Sequence, residues 1–139
     1  MKKIPSILAI LAISMATFMI TSCGSAEEKL PGKWVTESVN ASIDSTKAST
    51  ATLASVDNAI ASAKTTTFTL NEDHSMQLSI DAYESKAFWS FNSEEDLVTF
   101  LFDEQSLGEP IVLGKLEGKK IVYTSKVKHG SITTIYVKE

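Results

Sequence analysis

Apolar and polar residues alternate along most of the chain from Thr65 onward. In "MQLSID", for example, Met76, Leu78 and Ile80 alternate with three polar residues. A period of two places successive side chains on opposite faces of an extended strand, so each run predicts a β-strand with one apolar face. The seven runs are 65–71, 76–81, 86–92, 97–102, 111–116, 120–127 and 131–138, and an eighth predicted strand covers 33–39.

Residues 40–64 have a different pattern, rich in Ala and Ser and without Gly, Pro or an aromatic residue. Apolar side chains recur there at i, i+3, i+7 and i+10, which predicts one face of a helix whose start Asp44 or Ser45 caps. This apolar stripe consists of Leu53, Val56, Ile60 and Ala63. Because the stripe is narrow, the helix is expected to lie outside the domain or over one of its ends.

Short turns join the seven consecutive strands, and this arrangement is typical of antiparallel neighbours. Glu117-Gly118 and His129-Gly130 are the predicted turns of the last two hairpins. An open sheet of this size leaves two unpaired edges, whereas closure removes them. The sequence therefore predicts an all-β fold over 33–139, an up-and-down antiparallel barrel of about eight strands with one α-helix between strands 1 and 2. A two-sheet sandwich is the alternative.

The N-terminal segment has the order of an export signal, with Lys2 and Lys3 before an apolar run over 4–20. The following "ITSC" ends at Cys23, the single cysteine of the chain. These four residues resemble the bacterial lipobox, in which the cysteine is acylated and becomes the first residue after cleavage. The resemblance implies a lipoprotein signal peptide over 1–22, with long acyl chains such as palmitate on Cys23. An uncleaved membrane anchor is the alternative.

Residues 23–32 are small, polar and charged after the cysteine, and they predict a flexible tether between the lipid and the domain. Ser25-Ala26-Glu27-Glu28 is similar to the acidic signals that direct some Bacteroidetes lipoproteins to the cell surface, although a plain solvated tether has the same composition. Two or three acyl chains on one cysteine anchor a protein stably. We therefore expect a lipid-anchored protein of the cell envelope, in the outer membrane on its periplasmic or surface face.

"Leu30-Pro31-Gly32-Lys33-Trp34" resembles the Gly-x-Trp of the first strand in lipocalins, and "TFTLNEDHSMQLSI" resembles the second hairpin of lipocalin-like bacterial lipoproteins. The helix between strands 1 and 2 is also found in that group. The chain lacks two lipocalin features, since it has neither the arginine that packs on the tryptophan nor a Thr-Asp-Tyr signature. The resemblance implies a barrel that binds a small apolar ligand.

The larger side chains of the alternating runs are the candidates for lining such a ligand site. They equally suit a barrel that is filled by its own side chains. Trp34 is expected to close one end of the barrel, and the helix stripe to cover an opening. The candidates are Trp34, Phe68, Leu70, Met76, Leu78, Ile80, Trp89, Phe91, Phe100 and Phe102.

Composition and charge narrow the function classes. The chain has 139 residues, a net charge of −4, and lysine at all 13 basic positions. This length suits one domain, and the missing arginines and negative charge argue against a nucleic-acid partner. The acidic segment 93–109 and the lysine-rich end 115–128 are candidate contact surfaces, and they favour an alternative function as a module that binds another envelope protein or a glycan.

Catalytic and metal-binding patterns are weak. His74 and His129 both fall in predicted turns, and the acidic residues Glu94, Glu95 and Asp96 are consecutive in another. Metal sites need three or four converging ligands, and glycosidases need two carboxylates across a cleft. The chain also has no Gly-x-Ser-x-Gly elbow and no glycine-rich phosphate loop. We therefore expect a non-enzymatic protein without metal or cofactor.

Overall fold

The computed structural model describes residues 25–102 and 108–139. Eight antiparallel strands form a closed barrel in sequence order, with the first strand paired to both the second and the last. The predicted all-β barrel and the single helix between strands 1 and 2 are confirmed. The elements are β1 (Gly32–Ile43), α1 (Thr50–Thr65), β2 (Thr67–Leu70), β3 (Ser75–Ile80), β4 (Tyr83–Asn92), β5 (Leu97–Leu101), β6 (Ile111–Glu117), β7 (Lys120–Val127) and β8 (Gly130–Lys138).

The helix is capped four or five residues later than Asp44 or Ser45, because residues 40–43 of its Ala- and Ser-rich segment continue strand β1 and residues 44–49 form the connecting turn. β1 pairs with β8 as far as Ile43, opposite Gly130, and this ladder outweighs the local helix propensity. The predicted cap was wrong. Ser49 caps α1 by accepting a hydrogen bond from the Thr52 backbone N–H at 3.2 Å, while Asp44 accepts from Thr46 in the preceding turn.

The hairpin turns use backbone conformations that few residues adopt readily. The turn between β6 and β7 lies at Gly118–Lys119, one residue later than predicted, and Gly118 has a φ of 62°. In four other turns the residue with positive φ is His74, Asp81, Asp96 or His129. Asn, Asp and His are the non-glycine residues that tolerate this region best, so both histidines have a local conformational role.

The two ends of the barrel differ in what covers them. We call the end where β1 begins the N-terminal end; the β2–β3, β4–β5 and β6–β7 turns lie there. We call the opposite end the helix end, because β1 leads there into α1. The β3–β4 turn, the β7–β8 turn and the β5–β6 connection, which includes 103–107 outside the described residues, also lie at the helix end.

The core occupies the barrel interior and is rich in aromatic rings. Trp34 stacks on Phe68 with ring centroids 6.3 Å apart, and Phe68 meets Tyr136 edge-on at 5.0 Å. These offset and edge-to-face geometries are the favoured ones for aromatic pairs. The buried cluster comprises Leu30, Trp34, Phe68, Leu70, Met76, Leu78, Ala87, Trp89, Val98, Phe100, Leu113, Ile121 and Tyr136.

The N-terminal end is covered by residues assigned above to the tether. Glu27–Lys29 form one turn of 3-10 helix, and the side chain of Leu30 is completely buried in the core. The Trp34 indole Nε1–H donates a hydrogen bond of 2.8 Å to the Leu30 carbonyl oxygen. Packing therefore begins before residue 33. Cys23 and the predicted signal peptide 1–22 lie outside the described residues.

None of the helices in the described part of the chain has the length and apolar character needed to cross a membrane.

Candidate functional site

Exposed apolar side chains gather at the helix end of the barrel. Within the described ranges, every large apolar residue with a substantially exposed side chain lies on α1 or close to the helix-end terminus of a strand. These residues are Leu53, Ile80, Tyr83, Phe102, Ile111 and Val112. Exposed apolar surface that gathers in one place marks a binding site more often than scattered residues do.

Four of these residues belong to the inward face of the barrel, and we call Ile80, Tyr83, Phe102 and Ile111 the apolar rim. Ile80 follows the buried Leu78 by two residues and pairs with Tyr83 across β3 and β4. The same alternation relates Phe102 to the buried Phe100, and Ile111 pairs with Phe100 across β5 and β6. Period two therefore places the rim on the face that carries the core.

The rim continues the core toward solvent. Phe102 is 53% exposed and meets the buried Phe100 edge-on, with ring centroids 5.4 Å apart. Tyr83 is 80% exposed and Ile111 is 46% exposed. The rim therefore presents two groups of partly exposed side chains beside the packed core: Ile80 with Tyr83, and Phe102 with Ile111.

Helix α1 lies at the same end and packs mainly against β1, with further contacts to β3. The single proton of the Thr36 hydroxyl is shared between the Ala63 carbonyl at 2.7 Å and the Thr66 carbonyl at 3.0 Å, which ties the C-terminal turn of α1 to the barrel. The Thr65 hydroxyl donates to the Asp81 carboxylate at 2.8 Å, and this bond links α1 to the β3–β4 turn.

The predicted helix stripe is only partly buried. Val56 is buried, Ile60 and Ala63 are half-buried, and Leu53 is exposed. Between α1 and the β7–β8 hairpin is an open groove of about 370 Å³, lined in part by Val56 and Ile132. The helix therefore covers one side of the helix end and leaves the apolar rim uncovered.

The ten candidate ligand-lining residues separate into two groups. Ile80 and Phe102 belong to the apolar rim, and Phe91 is half-buried against the core. The other seven are in the core cluster and are at most 7% exposed: Trp34, Phe68, Leu70, Met76, Leu78, Trp89 and Phe100. Only the rim members offer exposed surface without rearrangement of the packed interior.

Sequence reasoning missed two rim residues, Tyr83 and Ile111. Tyr83 fell between two predicted strands, and Ile111 follows Glu109-Pro110 at the start of a short strand. Pairing of Tyr83 with Ile80 would have identified it, because both then share the inward face. That signal needs the strand register, which single-strand alternation does not supply.

His74 has structural contacts at the N-terminal end. Its ring stacks on Trp89 at 4.5 Å, its Nδ1 lies 3.2 Å from the Trp89 carbonyl oxygen, and its Nε2 lies 3.5 Å from a Glu27 carboxylate oxygen. An open groove of about 410 Å³ beside it is lined by three glutamates. No group of three potential metal ligands occurs within residues 25–102 and 108–139.

Neighbouring acidic groups also have local roles. The Ser75 hydroxyl and backbone N–H donate to the Asp73 carboxylate and lower its pKa. The Thr46 hydroxyl and backbone N–H lower the pKa of Asp44 in the same way. His129 lies in the β7–β8 turn, where its carbonyl oxygen accepts from the Asp44 backbone N–H at 2.9 Å. Glu94, Glu95 and Asp96 are exposed in the β4–β5 turn.

The chain was compared with protein-family models, with curated proteins and with solved structures, and no match was found in any of the three. The closed eight-stranded barrel fits a lipocalin-like ligand-binding fold. A fold does not by itself imply a function, so the geometry of the two barrel ends decides which function is supported.

Proposed function

We propose that this protein is a lipid-anchored lipoprotein of the cell envelope whose lipocalin-like barrel binds a small apolar ligand on the apolar rim. Its role in this proposal is non-catalytic. The observation that carries the ligand site is the concentration of exposed apolar side chains at one end of a closed barrel. The mouth of an eight-stranded barrel is a common place for a small ligand.

The rim supplies enough surface for weak to moderate binding. A ligand that removes about 200 Å² of apolar surface from water gains about 5 kcal/mol before ordering costs. Tyr83 also offers a hydroxyl at the edge of the site, suited to a ligand with one polar group. The uncharged character of the four rim side chains favours an apolar ligand over a charged one.

Ile111 and Val112 allow a sharp test, because they are adjacent in β6, similarly exposed at 46% and 39%, and on opposite faces. The full chain, purified in mild detergent, is titrated with N-phenyl-1-naphthylamine, a neutral apolar fluorophore. We expect Ile111→Asp to weaken binding at least tenfold and Val112→Asp to leave it unchanged. Thermal unfolding of both variants separates lost binding from lost folding. Equal effects of the two substitutions on binding would contradict the rim site.

Co-purified material provides a second measurement. Organic extraction of the purified full chain, followed by mass spectrometry, is expected to release an apolar molecule in wild type and less of it in Ile111→Asp. If the same amount of the molecule is extracted from both proteins, the molecule does not bind at the apolar rim.

The anchor is tested separately by the intact mass of the exported protein. Acylation predicts a mature chain that begins at Cys23 and carries the added mass of a diacylglycerol and fatty acyl chains, with its loss in Cys23→Ser. An unmodified mass in wild type would refute the anchor and would leave the rim proposal standing.

A further inference from the structure

The N-terminal end carries a second surface groove with a different chemistry. It has a volume of about 300 Å³, and we call it the lysine groove: Lys29, Trp34, Leu116, Gly118, Lys119 and Lys138 line it. Trp34 and Leu116 supply an apolar floor that belongs to, or packs against, the core. Three lysine side chains line the groove around this floor, and none of its described lining residues is acidic.

Two lysines of the groove differ from neighbouring lysines in that they have no ion-pair partner. Lys33 pairs with Glu139 at 2.8 Å, and Lys120 pairs with Glu37 at 2.7 Å. Lys29 and Lys119 form no ion pair within the described parts of the chain. Within the described residues, Lys29 and Lys119 therefore keep ammonium groups that have no directly paired carboxylate.

Lys138 is held in position above the floor. Its ammonium donates a hydrogen bond to the Lys29 carbonyl oxygen and lies 5.5 Å from the centroid of the Trp34 ring. A cation placed over an indole face is attracted to it. Lys138 therefore contributes a charge of defined position, beside the two lysines whose ammonium groups have no carboxylate partner.

The groove also lies close to the proposed anchor. Lys29 follows Cys23 by six residues, a length of chain that spans about 20 Å when fully extended. Acidic residues of this end occupy the β2–β3 and β4–β5 turns and residues 27–28, and two more lie nearer the groove: Glu117 at the end of β6, and Glu139, which is paired with Lys33. Lys119 lies in the β6–β7 turn. An anionic surface close to Cys23 therefore favours a tilt that turns the lysine groove toward it and the acidic turns away from it.

We propose that the lysine groove binds the headgroup of an anionic membrane phospholipid, with the phosphate among the three ammonium groups and the glycerol region against Trp34 and Leu116. Attraction of a lysine to an anionic membrane surface is worth roughly a fivefold gain in affinity. The placement beside a bilayer rests on the proposed acylation of Cys23; the headgroup contact itself rests on the groove.

The test uses the full-length protein in lipid nanodiscs made of phosphatidylcholine alone or with added phosphatidylglycerol. The indole N–H resonance of Trp34 reports locally, because Trp34 forms part of the groove floor. A Trp89→Phe background makes Trp34 the only tryptophan. We expect phosphatidylglycerol to shift this resonance, and high salt to reverse the shift.

Two double variants distinguish headgroup binding in the lysine groove from a general effect of lysine charge on membrane attraction. Lys29→Gln with Lys119→Gln is expected to raise the phosphatidylglycerol content needed for half of the shift by roughly 25-fold, or to abolish the shift. Lys126→Gln with Lys128→Gln removes the same charge from the helix-end part of the hairpin β7–β8 and is expected to change it little. Equal effects of the two pairs would overturn the proposal.

Two further measurements distinguish a lipid headgroup from free phosphate as the bound anion, and test the lysine groove independently of the lipid anchor. Inorganic phosphate added to phosphatidylcholine nanodiscs is expected to cause no shift at millimolar concentration, and an equal shift would assign the groove to free phosphate and refute the lipid. The intact mass of the same sample reports the anchor. A lysine-dependent shift without acyl mass would refute the anchor alone, and acyl mass without the shift would refute the groove alone.

Discussion

The N-terminal end and the helix end of the barrel are made from the same alternating strands, yet one is sealed and the other is open. At the N-terminal end, Leu30 is completely buried and Trp34 is 2% exposed. At the helix end, Tyr83 and Phe102 have the same inward direction but are mostly exposed. The difference lies in what crosses each end, because the strand pattern is similar at both.

The segment that seals the N-terminal end is short and bonded to the strand that follows it. The 3-10 turn Glu27–Lys29 directs Leu30 into the core, and the Trp34 indole is bonded to the Leu30 carbonyl. Helix α1 is longer, but it packs mainly against β1 and has one buried side chain, Val56. A stable closure and a free apolar surface therefore occupy opposite ends, an arrangement compatible with the proposed ligand site at one end and the proposed anchor at the other.

The largest expected loss of folding stability follows from a substitution at the N-terminal end. Trp34→Ala should lower the free energy of unfolding by about 3–5 kcal/mol, because it leaves a cavity and an unpaired Leu30 carbonyl. The matched change at the open end, Phe102→Ala, should cost about 1 kcal/mol or less, since that ring is already half in solvent. Urea unfolding with a constant m-value measures both. Comparable losses from the two substitutions would remove the distinction between the ends.

The loss of stability at alkaline pH tests whether water is excluded from the interior around Tyr136. Burial, with a smaller contribution from Tyr123, raises the pKa of Tyr136 to about 12 from its usual value near 10. Below pH 10 the phenol is protonated in both states. Between pH 10 and 12 the unfolded chain loses the proton and the folded chain keeps it, so stability falls by about 2–3 kcal/mol over that range.

The variant Tyr136→Phe should lack this part of the alkaline decline. The difference between wild type and the variant, measured by urea unfolding from pH 9 to pH 12, removes the contribution of lysine titration. Tyr83→Phe is the control at the open end and should keep the wild-type decline, because Tyr136 is unchanged. Parallel pH profiles for wild type and Tyr136→Phe would show that the interior is hydrated.

A smaller effect is expected at the start of α1. Ser49→Ala removes the hydrogen bond to the Thr52 backbone N–H and should cost about 1 kcal/mol. Hydrogen exchange should accelerate first in the amides of the N-terminal turn of α1. Ser55→Ala, at an exposed position inside the same helix, should stay within about 0.5 kcal/mol of wild type. A larger loss at Ser55 than at Ser49 would contradict the assigned cap.

The smallest effect is expected on the apolar rim itself. Tyr83→Ser should change the free energy of unfolding by no more than about 0.5 kcal/mol, because the side chain is 80% exposed. Thermal and urea unfolding measure it. A loss above about 1 kcal/mol would mean that the rim is packed by part of the chain, and the open-end description would then fail.

Much of the fold was predictable because alternation is a local signal. The eight strands, their order and the location of one helix between β1 and β2 follow from patterns within single segments. The extension of β1 to Ile43 was not predictable in the same way, since residues 40–43 have no strong strand pattern. They are a strand because β8 lies beside them.

The sequence by itself determined which side chains share a face, since the period of two is a property of the extended backbone. Only the tertiary structure decided which members of that face are buried. Leu78 and Ile80 occupy equivalent positions in one strand, and Phe102, one residue past the end of β5, continues the alternation of Phe100, yet the first of each pair is in the core and the second is exposed. Burial depends on what crosses each end of the barrel, and those contacts join residues far apart in the chain.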